Sequence, residues 1–297
     1  MITGGLGQVG KVLLKKLSEQ NIDFIVIDQR ENSGFSDLKI FQINISNEEE
    51  IKKYESELTE ITHLIHLATF TTSDKDVLGT GPESINFNIQ GTINLLKVLP
   101  NLQKICYTST YMVYGTPISN PVNEEHPTNP NVVYGASKLA TEKYLQIFCN
   151  ENKIELTILR LMGIYNLEKP HSQAIPTFIK LIANNKQPTI YENGQTKRNH
   201  LYIDDAIDVI ITSIQSPATG IFNIGGNDIT TNLELINLIN KKLNKKIKPD
   251  FKKARKEVYN FVVDINKAKN ELEFIPKASI DEGLDYTIKR FKSIGWE

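Results

Sequence analysis

Short runs of isoleucine, leucine and valine recur along the first half of the chain. Their apolar residues follow one another directly instead of alternating with polar ones, which is typical of strands buried on both faces of a parallel sheet. The segments that we predict to be strands are 23–28, 39–45, 63–67, 104–108 and 156–161.

Segments with the helical period of about 3.6 residues separate these strands. We predict helices at 9–20, 46–58, 82–99 and 134–150. Ser46 with Glu49 resembles a capping box at the start of the second helix. Alternating strands and helices predict an α/β protein with a doubly wound parallel sheet, whose ligands bind beyond the carboxyl ends of the strands.

The pattern changes after Leu161, where several prolines interrupt the alternation of strands and helices. Helical periodicity returns at 204–214, 232–243 and 280–292. We therefore predict a sheet domain formed by residues 1–166 together with 200–222. Residues 167–199 and 223–297 are then expected to form a smaller lobe that binds the substrate.

Composition limits the classes of function open to this chain. Of its 297 residues, 40% are hydrophobic and 23% are charged, which fits an ordinary globule and argues against disorder. The 34 basic and 35 acidic residues give a net charge of −1, which argues against nucleic-acid and membrane-surface binding. Cys106 and Cys149 lack the spacing of metal ligands, so no metal is expected. We expect neither a membrane span nor a secretory signal, and a cytoplasmic location.

A glycine-rich turn opens the chain, since residues 3–10 read Thr-Gly-Gly-Leu-Gly-Gln-Val-Gly. Gly4, Gly7 and Gly10 would let the backbone approach a pyrophosphate, whose charge is met by N–H groups at the start of the next helix. Asp28 ends the second strand, where its carboxylate can accept hydrogen bonds from ribose hydroxyls and repel a 2′-phosphate. Together they predict a Rossmann-type domain that binds NAD in preference to NADP.

The strand before this turn is short, since only Met1, Ile2 and Thr3 precede Gly4. Strands usually have about 5–6 residues, and the first strand of this fold is central in the sheet. We therefore expect that the natural chain begins several residues earlier or that the sequence is a fragment.

A tyrosine and a lysine, Tyr134 and Lys138, lie four residues apart at the start of the fourth predicted helix. They would share one face of that helix. The Lys138 ammonium is expected to stabilise the Tyr134 phenolate and to lower the pKa of the phenol from about 10 towards neutrality. Tyr134 could then accept a proton from a substrate alcohol or return one to a carbonyl.

Residues 107–115, Tyr-Thr-Ser-Thr-Tyr-Met-Val-Tyr-Gly, place several hydroxyl groups at the end of a predicted strand. With the glycine turn before it and the Y-x-x-x-K helix after it, this segment resembles the extended short-chain dehydrogenase/reductase family, in its NAD-dependent epimerase/dehydratase branch. The resemblance covers nearly the whole chain. It implies that Thr110, four residues before the tyrosine of V-Y-G, is a catalytic hydroxyl beside Tyr134 and Lys138.

Further matches to the family imply more of the NAD site. Asn44 and Ile45 match the position that contacts adenine, segment 66–68 matches one that runs under the cofactor, and Asn88 matches a helix beside it. His66 is expected to be a core residue and not a base or metal ligand. The residues expected to bind NAD are Gly4, Gly7, Gln8, Val9, Gly10, Asp28, Asn44, Ile45, Leu67, Ala68, Asn88, Tyr134 and Lys138.

Three residues are expected to bind the substrate. Thr110 would contact the reacting oxygen. Arg198, in segment 197–205, matches the family's R-D-F-x-x-V-D-D, and its guanidinium could bind a diphosphate bidentately. Arg255 lies where another phosphate-binding arginine of the family often falls, although its surroundings are broadly basic and fit a solvated face equally well.

The sequence departs from the family's patterns in two segments. R-x-F-N-V-Y-G-P reads Arg-Leu-Met-Gly-Ile-Tyr-Asn-Leu at 160–167, so Gly163 replaces the substrate-side asparagine. The family's 4,6-dehydratases and decarboxylases carry an acidic residue next to the catalytic hydroxyl or two positions after it, where this chain has Tyr111 and Met112. An acid for water elimination is therefore missing from these positions.

The resemblance and these departures favour an NAD-dependent nucleotide-sugar 4-epimerase, similar to UDP-glucose 4-epimerase, that transiently oxidises the sugar C4 hydroxyl. Two alternatives stay open: an NAD(P)-dependent reductase or dehydrogenase of a sugar or other carbonyl, and a non-catalytic module that binds the dinucleotide. The family also implies a homodimer formed through the helices at 82–99 and 134–150.

Overall fold

The structure, a computed structural model, describes residues 1–32, 34–71, 80–166, 173–254 and 257–295. The chain folds into two units. The first contains Met1–Thr116, Pro127–Arg160 and Ile207–Phe222, and the second contains Pro117–His126, Leu161–Ala206 and Asn223–Glu297. That separate domains bind the cofactor and the substrate stays a prediction.

The described strands and helices follow one another along the whole chain. The strands are β1 (Ile2–Thr3), β2 (Val26–Asp28), β3 (Ile40–Gln42), β4 (His63–His66), β5 (Lys104–Thr110), β6 (Glu155–Leu161), β7 (Ile164–Tyr165), β8 (Thr189–Tyr191), β9 (Lys197–Arg198), β10 (Leu201–Tyr202), β11 (Gly220–Ile224), β12 (Thr230–Thr231) and β13 (Asp250–Lys252). The α-helices are α1 (Gln8–Glu19), α2 (Glu48–Lys52), α3 (Glu55–Leu58), α4 (Gly81–Ile85), α5 (Gly91–Lys97), α6 (Val133–Asn152), α7 (Ala174–Ala183), α8 (Ile203–Gln215), α9 (Asn232–Leu243), α10 (Asn266–Glu271) and α11 (Ile280–Ser293).

A seven-stranded sheet with the order β3-β2-β1-β4-β5-β6-β11 organises the first unit. Neighbouring strands from β3 to β5 pair in parallel, which confirms the predicted doubly wound α/β sheet. The strand order changes direction between β1 and β4. The carboxyl ends of these two strands therefore flank the place where such sheets bind ligands.

Both faces of the sheet are covered by apolar side chains. Leu64 of β4, Ile105 of β5 and Ile158 of β6 are buried, and α1 buries Leu13 and Leu14. Each such side chain stabilises the fold by about 1.5–3 kcal/mol on the transfer scale. This packing is the physical reason for the continuous apolar runs in the sequence.

Two predicted helices differ from the observed ones. Segment 46–58 forms two short helices, α2 and α3, and the cap of α2 is Asn47, whose side chain accepts hydrogen bonds from the first-turn N–H groups. The capping box of Ser46 and Glu49 is therefore wrong, since the Ser46 hydroxyl donates to Asn44 instead. Segment 82–99 is divided by a π-helical turn, Asn86–Gln90, between α4 and α5.

The second unit contains small sheets and helices. β7 pairs with β10 and β8 with β13 in parallel, whereas β9 and β12 are antiparallel. Capping boxes fix the starts of α9, at Thr231, and of α11, at Ser279. Among the helices described for both units, none has the length and apolar character that a membrane span requires.

The predicted homodimer stays a prediction. Ile85 of α4 and Ile147 of α6 lie on the helices named for it and are 49% and 67% exposed.

Candidate active site

The glycine turn after β1 depends on the absence of a side chain at Gly10. A Cβ atom there would lie 2.4 Å from the carbonyl oxygens of both Gly4 and Gly5, so α1 packs directly on the turn. Gly7 caps α1 without a side-chain hydrogen bond. A helix that begins in this way directs backbone N–H groups towards an anion, so Gly4, Gly7, Gln8, Val9 and Gly10 form a cradle that fits a pyrophosphate.

Asp28 holds this turn against the end of β2. Its carboxylate accepts hydrogen bonds from the N–H groups of Leu6, at 2.8 Å, and Arg30, at 3.0 Å, and the Arg30 guanidinium lies 3.5 Å from it. A carboxylate has about four acceptor sites. The Asp28 carboxylate therefore keeps acceptor sites for the ribose hydroxyls, as the predicted role in NAD binding requires.

Four other predicted cofactor residues lie at the ends of β3 and β4. The side-chain oxygen of Asn44 accepts two hydrogen bonds from Ser46, which leaves its amide N–H groups as the part able to bind adenine. Ile45 is buried. Leu67 and Ala68 follow β4, and their N–H groups donate to the backbone and hydroxyl oxygens of Thr3.

His66 is a hydrogen-bonded core residue, which confirms the prediction. The Thr92 hydroxyl donates to the carbonyl of Asn88 at 2.7 Å, so it accepts from Nε2 of His66 at 2.9 Å. Nδ1 is then the acceptor for the Thr3 hydroxyl at 2.6 Å. Burial, helped by the charge of Lys138, lowers the pKa of His66 to about 3 and keeps the ring neutral.

Asn88 lies within the π-helical turn, and its side chain joins that turn to the segment after β4 and to α6. Its amide nitrogen donates to the Ser137 hydroxyl at 2.9 Å and to the Phe70 carbonyl at 3.0 Å. Its amide oxygen accepts from Phe70 and Thr69. These contacts use the whole hydrogen-bonding capacity of the amide, so contact between Asn88 and NAD stays a prediction.

The helix that carries the predicted catalytic pair packs tightly on the end of β5. A Cβ atom on Gly135 would lie 2.6 Å from the carbonyl oxygen of Met112, so the start of α6 packs closely on the turn Tyr111–Tyr114 that follows β5. Thr110, the last residue of β5, is 6% exposed and accepts from the N–H of Met112 at 3.3 Å. Among the described residues, no acceptor lies within hydrogen-bond distance to take its own hydroxyl proton.

The expected lowering of the Tyr134 pKa by Lys138 is wrong. Burial raises the pKa of Tyr134 to about 12, although a hydrogen bond with Thr69 opposes this effect. The Lys138 ammonium lies 4.1 Å from the centroid of the Tyr107 ring, on which it is held by a cation–π contact. Burial lowers the pKa of Lys138 to about 7, and the charge of Glu142 opposes that shift.

A buried ion pair beside these residues was missed by sequence reasoning. Glu142 is fully buried and accepts hydrogen bonds from Arg160 at 2.7 and 3.1 Å. It also accepts one from the Ser109 hydroxyl. Glu142 lies one helical turn after Lys138, so the sequence could have placed it on the same helix face but could not have shown its burial or its pairing with Arg160.

Arg198 belongs to the second unit, where β9 places it opposite Thr230 of β12. Directly opposed residues of antiparallel strands share one face. The hydroxyl of Thr230 and Nε2 of His200 are buried, and neither has a hydrogen-bond partner among the described residues. Burial and the charge of Arg198 lower the pKa of His200 to about 4. Arg255 lies outside the described residues.

The part of the chain that the structure describes contains no cluster of three or more histidine, cysteine, aspartate or glutamate residues able to hold a metal ion.

Comparison with known proteins decides the family. Residues 1–225 match the model of the NAD dependent epimerase/dehydratase family. The chain belongs to this family. NAD is therefore the cofactor, and the cradle and acidic strand end described above fit it.

Relatives in the family have several activities. A dTDP-D-glucose 4,6-dehydratase of Dictyostelium discoideum is 32% identical, with 79% of this chain and 60% of the relative aligned. A UDP-glucose 4-epimerase of Mycolicibacterium smegmatis is 25% identical over 99% of this chain and 98% of its own. The crystal structure of UDP-glucose 4-epimerase from Thermotoga maritima with UDP-glucose has a TM-score of 0.89 and 26% identity, covering 99% and 98% of the two chains.

One departure from the family's sequence pattern has a local structural explanation. Asn166, in place of the glycine of Y-G-P, has a φ of 66°, a left-handed conformation that asparagine tolerates better than most residues. Its side chain donates to the Tyr202 hydroxyl at 2.8 Å, and its carbonyl accepts from Arg290. Asn166 therefore adopts a backbone conformation that glycine would also allow.

The neutral His66 predicts a specific acid sensitivity. Below pH 6.5 the unfolded state binds a proton that the folded state, with a pKa of about 3, excludes. Stability should therefore fall as pH falls through this interval, by about 2 kcal/mol at pH 5. In urea unfolding at pH 7 and pH 5, His66→Gln should lose less stability between the two values than the wild type does.

The matched control is His63→Gln, which alters an exposed histidine on the same strand. It should keep most of the wild-type pH dependence. An equal loss of stability between pH 7 and pH 5 in wild type and His66→Gln would contradict this assignment.

Proposed function

We propose that this chain is an NAD-dependent nucleotide-sugar 4-epimerase. The proposal depends on the close packing of the helix of Tyr134 and Lys138 on the turn that follows Thr110. The first two residues of that turn are Tyr111 and Met112. Those two positions lack the acid that dehydratases and decarboxylases of the family use. The similarity to UDP-glucose 4-epimerases over nearly the whole chain supports the same reaction.

In this reaction Tyr134 takes the proton of the C4 hydroxyl and returns it when the hydroxyl forms again on the opposite face. Thr110 donates its hydroxyl proton to the same oxygen. NAD supplies the oxidising group and, in its oxidised form, a positive ring. Burial raises the pKa of Tyr134 to about 12, and Lys138 does not lower it in the protein alone, so proton acceptance requires further positive charge near the phenol. The ring of oxidised NAD would supply that charge.

In the second unit, we propose that Arg198 binds the diphosphate of the substrate. The guanidinium makes no ion pair with any described residue. The unpartnered hydroxyl of Thr230 and Nε2 of His200 are further groups able to contact phosphate oxygens. The family's substrate-side asparagine is Gly163 here, which removes one contact that would restrain the sugar. The 4-keto sugar of a 4-epimerase must rotate within the site before it is reduced on its other face. Strong contacts to the diphosphate and few contacts to the sugar would hold the intermediate while allowing that rotation.

Removing the phenol tests the proposed chemistry. A panel of UDP-, dTDP-, GDP- and CDP-sugars, followed by NMR and mass spectrometry with NAD present, should show two sugars interconverting without net NADH formation. Tyr134→Phe should lower the rate by about 10²–10⁴-fold, because a positioned acid–base group is lost. NAD binding, measured by calorimetry, should persist.

Each other result of this experiment has a defined meaning. Stoichiometric NADH consumption would contradict the epimerase proposal and favour a reductase or dehydrogenase. Activity that is unchanged in Tyr134→Phe would remove the phenol from the mechanism, and absence of any conversion with intact NAD binding would favour the binding module.

Removing the arginine tests the diphosphate site. Arg198→Gln should raise the KM of the nucleotide sugar about 10–100-fold, because charge-assisted hydrogen bonds to phosphate are lost. The matched control Lys197→Gln removes the same charge from the neighbouring exposed residue and should change KM less than about 2-fold. Equal KM values for the two variants would contradict a bidentate role of Arg198.

A further inference from the structure

The Glu142 carboxylate lies where three segments of the first unit meet. It projects from α6, it accepts hydrogen bonds from Nε and Nη2 of Arg160 on β6, and it accepts another from the Ser109 hydroxyl on β5. Both ion-pair partners are nearly inaccessible, with side-chain exposures of 0% for Glu142 and 2% for Arg160. The Arg160 guanidinium also lies 4.7 Å from the centroid of the Tyr114 ring.

These contacts connect the two parts of the proposed catalytic set. Ser109 directly precedes Thr110 on β5. On α6, Tyr134, Lys138 and Glu142 follow one another at intervals of four residues and share a helix face. One carboxylate thus ties the strand end that bears the catalytic hydroxyl to the helix that bears the phenol and the ammonium.

Stability alone is a weak explanation for such a pair. Removing two ions from water costs several kcal/mol per ion, and apolar residues of similar volume often serve a fold equally well. What the ion pair adds over apolar packing is directional geometry and a negative charge at a fixed place. Both act on residues that the proposed reaction uses.

The charge acts on Lys138. Among the described residues, the titratable groups near the Lys138 ammonium are His66, which is neutral, the Tyr107 ring, Glu142 and, one turn earlier on the same helix, Tyr134. Burial lowers the pKa of Lys138 to about 7, and Glu142 is the group that raises it. Loss of the Glu142 charge would therefore deprotonate Lys138 at a lower pH.

We propose that Glu142, held by Arg160, is a positioning residue for the reaction. It fixes Thr110 against the helix of Tyr134 and maintains a negative charge one helical turn from the Lys138 ammonium. This inference rests on the proposed function, so its test includes a measurement that needs no substrate.

The first test is Glu142→Gln, which keeps the shape of the side chain and removes its charge. In the NAD-loaded protein, kcat should fall about 10–100-fold with KM within about 2-fold, since misplacement of reacting groups acts on the chemical step. The alkaline limb of the pH–rate profile should move to lower pH. Unchanged kcat and an unchanged limb in folded Glu142→Gln would overturn the proposal.

The substrate-free measurement is the titration of Lys138, followed by NMR of protein labelled with 13C at lysine Cε and assigned with Lys138→Gln. The apparent pKa of Lys138 should be lower in Glu142→Gln than in wild type. A wild-type protein that converts no nucleotide sugar but shows this shift would refute the proposed function alone. An identical titration in both proteins would refute the charge effect of Glu142.

Two further variants show whether a loss of activity in Glu142→Gln comes from misfolding. Glu142→Met with Arg160→Met removes both charges together, which should preserve folding while reproducing the loss of kcat and the shift in pH. Ser109→Ala removes only the bond to β5, so kcat should fall with the Lys138 titration unchanged. Full kcat in Ser109→Ala would refute the connection to Thr110.

The matched control is Thr157→Val on the same strand as Arg160. Thr157 is fully buried, and its hydroxyl donates to the Ala218 carbonyl at 2.8 Å. The variant removes a buried hydrogen bond of β6 without touching the ion pair. It should reduce stability but leave kcat within about 2-fold and the pH profile unchanged. If Thr157→Val shifted the pH–rate profile as much as Glu142→Gln does, the shift would come from general destabilisation and not from loss of the Glu142 charge.

Discussion

Parallel pairing of the strands determines where the chemistry of the first unit lies. The carboxyl ends of parallel strands meet at one edge of a sheet, so residues far apart in the sequence come together there. The glycine turn follows β1, Asp28 ends β2, His66 ends β4 and Thr110 ends β5. The cofactor cradle and the proposed catalytic hydroxyl are therefore consequences of the same strand topology.

A chain of buried hydrogen bonds connects that edge to α6, the helix of the proposed catalytic residues Tyr134 and Lys138. It runs from the hydroxyl of Thr3, just before the glycine turn, through His66 and Thr92 to Asn88, whose amide donates to Ser137 on α6. Each link is satisfied, which matters because an unmade hydrogen bond is costly in a buried place. The chain explains why residues that match the cofactor site in sequence, such as Asn88, use their side chains to hold the protein together.

The sequence was sufficient to predict the sheet, the glycine turn, the position of Asp28 at the end of β2 and the shared helix of Tyr134 and Lys138, because each depends on a local pattern. It was insufficient for properties that depend on packing. Burial decides that the pKa of Tyr134 rises, and helix spacing alone gave the opposite direction. The ion pair of Glu142 and Arg160 joins residues on α6 and β6, and no local pattern of charge shows that both are buried. The π-helical turn around Asn88 had no sequence signal.

The central claim is that the hydrogen on the sugar C4 carbon leaves and returns within one protected site, while Tyr134 handles the hydroxyl proton. The most direct measurement uses the nucleotide sugar that is converted, labelled with deuterium at C4 and incubated with the NAD-loaded protein in ordinary water. The account predicts that both epimers keep the label at C4, as read by mass spectrometry and NMR. Loss of the label to the solvent, or its retention in a product with a different oxidation state, would contradict it.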